Sequence, residues 1–294
     1  DTPGKLRCIL KSHHTQLLHM EHCNEEYKTR RKRVLLGITG SVAAVKGPEI
    51  AVRLSKEVGA DVRVLLTRAG ENFWNKAKEY DPVSWQQFTK IRDDTVKATQ
   101  SDGFSINDDC SNHAQNSEKE KGKKKVCDIV DNDKNCLGDG EIIVHTANDE
   151  WKGWDRLGDP VLHIDLRNWA DIILIAPLSA HTLAKLAVGM CDDTLSCCVR
   201  AWDFGHGVRP GKPLILCPAM NTAMWVHPIT RSQLNLICDF SNNGAMTRGG
   251  KSQVHVVEPQ EKTLACGEVG TGALAEVSKI IQVTKEYLDI YKTT

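Results

Sequence analysis

With 294 residues, 40% of them hydrophobic and 26% charged, the chain can bury a full core and form one large domain with decorations. Its 38 lysines and arginines are balanced by 38 acidic residues, so the formal net charge is zero. That balance leaves no electrostatic footprint for nucleic acid or an anionic membrane, and points to a small-molecule or protein partner.

Residues 1–30 are polar and rich in histidine, and precede any strand signal. They are expected to form an N-terminal extension to a single domain over 31–294. His13, His14, His19, His22 and Cys23 follow no standard metal-ligand spacing, so no metal site is expected.

From Arg33 the pattern becomes "RVLLGITGSVAAVKGPEIAVRLSKEVGADVRVLLTRAG": an apolar run, a small-residue turn, an amphipathic stretch and a second apolar run. This is a βαβ unit. In an open parallel sheet, ligands bind beyond the C-terminal strand ends, so the turn residues matter. After the first strand, Gly40 permits close backbone approach, Ser41 offers a hydroxyl, and Pro48 suits a helix start that could hold a phosphate. Glycines 37, 40 and 47 miss the dinucleotide spacing, which favours a mononucleotide. After the second strand comes Thr67.

From about Asp93 to Gly140 the chain turns to Asp, Asn, Ser and Lys with few large apolar groups, and is expected to be a disordered insertion. "EIIVHT" then resumes the sheet. "DIILIAP" is a buried strand followed by Ser179, Ala180, His181 and Thr182, and "PLILCP" is another, followed by "PAMNTAMW". "SQVHVVEP" reads as a closing strand. In "LACGEVGTGALAE", Cys266 lies among Gly267, Gly270 and Gly272, which suggests a flexible, partly exposed loop able to close on a substrate with a thiol. A terminal helix with apolar residues at i, i+3 and i+4 ends the domain.

Near-continuous apolar strands alternating with helices predict an α/β fold, with a doubly wound parallel sheet covered on both faces. The 11 cysteines are scattered and odd in number, and Cys197, Cys198 and Cys217 lie in apolar runs. Reduced thiols, no signal-like N-terminus and no apolar run near 18 residues together predict a soluble, cytoplasmic protein without membrane contact.

"GSVAA", "HIDLRNWADIILIAPLSAHTLAKLAVGMCDDTLSCCVRAWD", "PAMNTAMW" and "LACGEVGTGALAE", in that order, resemble the flavin-dependent cysteine decarboxylase family, and within it the phosphopantothenoylcysteine decarboxylases of plant halotolerance type. The resemblance spans about residues 33–290 apart from the polar insertion. It implies a flavodoxin-like (Rossmann-type) three-layer sandwich, bound FMN, and a homotrimer with active sites between subunits. It also implies decarboxylation of 4'-phospho-N-pantothenoylcysteine to 4'-phosphopantetheine in coenzyme A synthesis.

By motif, His163 is the implied base near the substrate thiol and Cys266 the late proton donor. Asn221, with Met224 and Ala265, is implied to bind substrate, Trp225 completing its motif. Gly40, Ser41, Val42, Thr67, Arg68, Ala69, Ser179, Ala180, His181, Thr182 and Met220 are implied to hold FMN. His181 stands where the plant enzymes usually carry Asn. "FGHGVRPG" and "DFSNNGAMTRGG" are further departures, and put trimer contacts and the clamping loop's approach in question.

Three other readings compete. Fungal relatives on this fold act as inhibitory subunits of a Ser/Thr protein phosphatase, and some lack a catalytic residue; here His163, Asn221 and Cys266 occur in one chain. A peptide C-terminal cysteine decarboxylase would differ in the clamping loop. A flavin prenyltransferase would not need the Asn and Cys pair.

Overall fold

The long apolar runs of the sequence become strands: β1 (Lys32–Ile38), β2 (Ala60–Leu66), β3 (Ile142–His145), β4 (Ile172–Leu178), β5 (Leu214–Pro218) and β6 (Val254–Val256). They pair in parallel in the order β3-β2-β1-β4-β5-β6. This computed structural model describes residues 30–101, 139–152, 154–206, 211–241, 252–263 and 269–292. The central strands read as unbroken apolar runs because both faces are covered, and all seven residues of β4 are buried.

The helices between the strands are α1 (Gly47–Glu57), α2 (Arg68–Trp74), α3 (Ala77–Tyr80), α4 (Pro82–Ser101), α5 (Leu162–Trp169), α6 (Ala180–Val188), α7 (Thr194–Arg200), α8 (Thr222–Val226), α9 (Pro228–Cys238) and α10 (Val277–Lys292). Successive side chains of β1 separate to opposite faces. Val34, Leu36 and Ile38 join Ile50 and Leu54 of α1, Phe88 and Ile91 of α4, and Ile280 of α10. Leu35 joins Leu166 of α5, Leu183 of α6, Leu195 of α7 and Leu234 of α9. Each such side chain contributes about 1.5–3 kcal/mol by leaving water, so the two layers bind the sandwich together. This is the expected doubly wound, Rossmann-type architecture.

At the sheet's N-terminal edge, the Arg30 guanidinium donates to both carboxylate oxygens of Asp171, at 2.9 and 2.5 Å. The Arg33 N–H donates to the same carboxylate at 2.9 Å, so one buried acid fastens the start of β1 to the start of β4.

Three expectations need revision or fall outside the described residues. The polar insertion was expected from about 93 to 140, but α4 continues to Ser101 and Gly140 is bonded to Ser55 through both its N–H and its carbonyl. A helix on a sheet needs only one buried stripe, here Phe88, Ile91 and Thr95, so a polar composition does not forbid it. Residues 102–138, and the N-terminal extension over 1–29, lie outside the described residues.

The glycine-rich segment near the C-terminus is also not simply a loop. Gln260–Thr263 (β7) pairs antiparallel with Val269–Ala273 (β8), which places Gly270 and Gly272 in a strand. Ala265 and Cys266 fall between these strands, outside the described residues.

In chain order the segments "FGHGVRPG" and "DFSNNGAMTRGG" precede β5 and β6. Their described flanks meet: Phe204 and Phe240 form an edge-to-face pair with centroids 5.6 Å apart, and His206 Nε2 lies 2.5 Å from the Phe240 carbonyl. Residues 207–210 and 242–251 lie outside the described residues.

Candidate functional site

Strand order reverses between β1 and β4, so the turns leaving these strands diverge and open a crevice at the C-terminal edge. Thr39, fully buried, bridges them: its hydroxyl donates to the Pro177 carbonyl at 2.8 Å and accepts from the Ser179 N–H at 2.7 Å. Thr67 ties in the turn after β2, its N–H and hydroxyl both donating to the Ile38 carbonyl at 3.1 and 3.3 Å. A side chain at Gly40 would place its Cβ 2.6 Å from Ala69 Cβ, so glycine is what lets the first two turns close up.

Each turn opens a helix through a hydroxyl cap. Ser41 accepts from Ala43 N–H at 3.4 Å, Thr67 from Gly70 N–H at 3.1 Å, and Ser179 from Thr182 N–H at 3.3 Å. The cap reading of these residues and the ligand reading therefore coexist. The first turns at Val42–Lys46 and at α6 carry no carboxylate. A donor-rich, acid-free cradle at helix starts fits a phosphate, and so fits FMN.

The turn after β5 is fixed from two sides. Ala219 N–H donates to the Leu178 carbonyl and Met220 N–H to the Gly272 carbonyl, both at 2.9 Å. Asn221 caps α8, its Oδ1 accepting from Ala223 N–H at 2.8 Å. This commits one amide oxygen and sets the plane of the amide. Met224 is 55% exposed and Trp225 is half-buried, with the Arg231 guanidinium 5.8 Å from its ring centroid. Thr222 Oγ1 is buried against Gly270 without a hydrogen-bond partner among the described residues.

The turn after β3 completes the edge. A 3-10 turn, Asp149–Trp151, is closed by the Asp149 carboxylate, which accepts the Thr146 N–H at 2.6 Å and its hydroxyl at 3.0 Å. This turn buries Glu150, whose Oε1 lies 2.5 Å from His163 Nδ1 in the first turn of α5. His163 does not cap its helix, since Val161 holds that position without a side-chain bond. On the other side the Cys198 thiol donates to the His163 carbonyl at 3.5 Å. Burial, then the Glu150 charge, push the Cys197 thiol up to about 11, and the same two causes raise Cys198, so both stay protonated and inert at neutral pH.

All the expected site residues that are described lie on this edge: Gly40, Ser41 and Val42; Thr67, Arg68 and Ala69; Ser179, Ala180, His181 and Thr182; Met220, Asn221 and Met224; and His163. Of these, Val42, Arg68, Ala69, His181 and Met224 are exposed. Thr39 and Glu150 were missed. Thr39 could have been found as a polar residue ending an apolar strand, and Glu150 by examining the turn after β3 as the other turns were examined.

A doubly wound sheet with hydroxyl-capped helix starts gathered at its switch point defines an α/β protein built to hold a phosphorylated cofactor. Residues 22–289 match the flavoprotein family. The chain belongs to that family. It is 34% identical over 252 residues to phosphopantothenoylcysteine decarboxylase of Mus musculus, covering 86% of this chain and 85% of the relative. A 144-residue stretch is 45% identical to a probable phosphopantothenoylcysteine decarboxylase of Arabidopsis thaliana, covering 49% of this chain and 63% of that protein.

Among solved structures, a variant of PPC decarboxylase complexed with pantothenoylaminoethenethiol superimposes with a TM-score of 0.58 at 31% identity, covering 88% of this chain and 100% of that one. The FMN binding protein AtHal3 gives 0.55 at 31% identity, with 88% and 98% covered.

Proposed function

We propose that this chain is an FMN-dependent phosphopantothenoylcysteine decarboxylase, converting 4'-phospho-N-pantothenoylcysteine to 4'-phosphopantetheine in coenzyme A synthesis. The observation that carries the reading is a single sheet edge on which a carboxylate-paired histidine, an oriented asparagine amide and an acid-free phosphate cradle stand together. The likeness to named decarboxylases over most of both chains supports it.

A cysteinyl carboxylate has no electron sink for the carbanion left by CO2. FMN, when bound, supplies one by accepting hydride from the thiol-bearing carbon and returning it after decarboxylation. Its phosphate would be held by Gly40, Ser41, Val42, Ser179, Ala180, His181 and Thr182, with Thr67, Arg68, Ala69 and Met220 contributing further contacts.

His163 takes the proton of the substrate thiol, which makes the neighbouring carbon a better hydride donor. Asn221 presents its amide N–H2 to the carboxylate, a neutral donor that positions the group without the fixed charge that would favour the ionised ground state. Met224 forms an apolar wall where charge disperses. Cys266, with Ala265 in the connection between β7 and β8, returns a proton.

The proposal extends to a homotrimer with sites between subunits, supported by exposed apolar side chains after β3, Trp151, Trp154 and Leu157, and on the helices after β5, Val226 and Ile229. It extends also to a cytoplasmic setting, supported by free thiols at Cys191, Cys197, Cys198, Cys217 and Cys238. Among the described residues, no helix is long and apolar enough to cross a membrane.

The test is to purify the protein, record its flavin spectrum, and measure CO2 release from phosphopantothenoylcysteine. A yellow protein that forms phosphopantetheine, and loses turnover in Asn221→Ala, supports the reading. A colourless protein, or a yellow one that releases no CO2, counts against it and favours the regulatory role.

A further inference from the structure

A carboxylate removed from water costs several kcal/mol unless it is paired. Glu150 has a side chain only 5% exposed, its Oε2 has no hydrogen-bond partner among the described residues, and its Oε1 is bonded to His163 Nδ1. Among the described residues it makes no ion pair with a lysine or arginine, and it caps no helix. Such a group is explained by what it does to its partner.

We propose that Glu150 is the positioning residue of the active-site base: its Oε1 accepts the proton on Nδ1, which fixes the imidazole's tautomer and rotation and leaves Nε2 as the nitrogen that meets the substrate. This rests on the reading of His163 as the base.

Two further contacts and the exposure of the ring agree with it. The 3-10 turn that carries Glu150 is braced by Asp149 on Thr146, so the carboxylate is delivered by a closed turn rather than a loose loop. The Cys198 thiol holds the main chain of His163 from α7, leaving ring rotation as the remaining freedom, and Glu150 removes it. The His163 side chain is part-exposed, at 22%, while its Nδ1 faces the buried acid.

A neutral imidazole with its proton on Nε2 could not accept from the substrate thiol. The equilibrium between the two tautomers in an unpartnered ring would place much of the enzyme in the wrong form. An acid on Nδ1 selects the form that works, as partners of functional histidines commonly do.

Two experiments test this. In 15N-histidine-labelled wild type, two-bond nitrogen–proton correlation spectra, taken where His163 is neutral and assigned with His163→Asn, should show a protonated Nδ1 and a bare Nε2. A neutral ring protonated on Nε2 overturns the proposal without any variant at Glu150. In the FMN-loaded protein, E150L, which removes the acceptor while keeping the buried volume, should keep the flavin spectrum and the KM for phosphopantothenoylcysteine while kcat falls about ten- to a hundredfold. The same change in a His163→Asn background should cost nothing more, because there is no ring left to orient.

E150L at wild-type turnover, or an equal extra loss in the His163→Asn background, overturns the proposal. His163→Asn at wild-type turnover overturns instead the reading of the site on which it rests, whatever E150L does.

Discussion

Asn221 holds its own helix and, in the proposed reaction, the substrate carboxylate; the two roles separate by a single-atom exchange. Asp at this position keeps an acceptor for Ala223 N–H, so α8 remains capped. It also sets a negative charge against the substrate's, a repulsion of several kcal/mol. Asn221→Asp should therefore melt with the wild type yet lose decarboxylation about a hundredfold or more, measured by thermal denaturation and CO2 release. A variant that melts early but turns over normally would show that the cap alone matters.

His145 makes a second residue-scale prediction. Burial, then the nearby Arg63 charge, push its pKa down from the usual 6.5 to about 4, and its Nε2 is buried without a partner among the described residues. Below pH 6.5 the unfolded chain binds a proton at this ring and the folded one does not, so stability falls as the pH drops from 6.5 to about 4. The loss should reach up to about 3 kcal/mol by urea denaturation at each pH. His145→Gln should flatten that part of the profile.

At the scale of elements, the most instructive is the hairpin of β7 and β8. Its glycines suggest a flexible hinge in the sequence, but in the fold they permit close packing. Gly272 has φ +133°, and a Cβ there would lie 2.5 Å from the Met220 carbonyl, while one at Gly270 would lie 2.4 Å from Thr222 Oγ1. Gly272→Ala should cost about 2–3 kcal/mol in chemical denaturation, through backbone strain and steric overlap together. A variant as stable as the wild type would restore the hinge reading.

Strands β1, β2, β4 and β5 were legible because a sheet buried on both faces demands unbroken apolar runs, and so was the edge where Gly40, Thr67, Ser179 and Asn221 collect. The end of α4 was not, because composition reports the exposed side of a helix as loudly as the buried stripe. Thr39 and Glu150 escaped for a different reason: their importance lies in partners 138 and 13 residues away in the chain, which no local pattern encodes.

Taken whole, the molecule gathers its chemistry-bearing turns after the C-terminal ends of the strands. In chain order the stretch 102–138 lies between α4 and β3 and supplies none of the residues placed in the site. Replacing 102–138 by a short Gly/Ser linker should leave FMN binding unchanged. It should shift unfolding free energy by no more than about 1–2 kcal/mol, since closure entropy changes about 0.6 kcal/mol per doubling of loop length and the shortening spans two to three doublings. Loss of flavin on that replacement would give the segment a part in the site.

The Thr39 bridge carries its own consequence. Because one hydroxyl serves both the Pro177 carbonyl and the Ser179 N–H, β1 and β4 cannot part at the crevice without both bonds failing at once. The crevice floor is thus a latch with one moving part, and the Ser179 amide should exchange its proton for deuterium only when the two halves of the sheet open together.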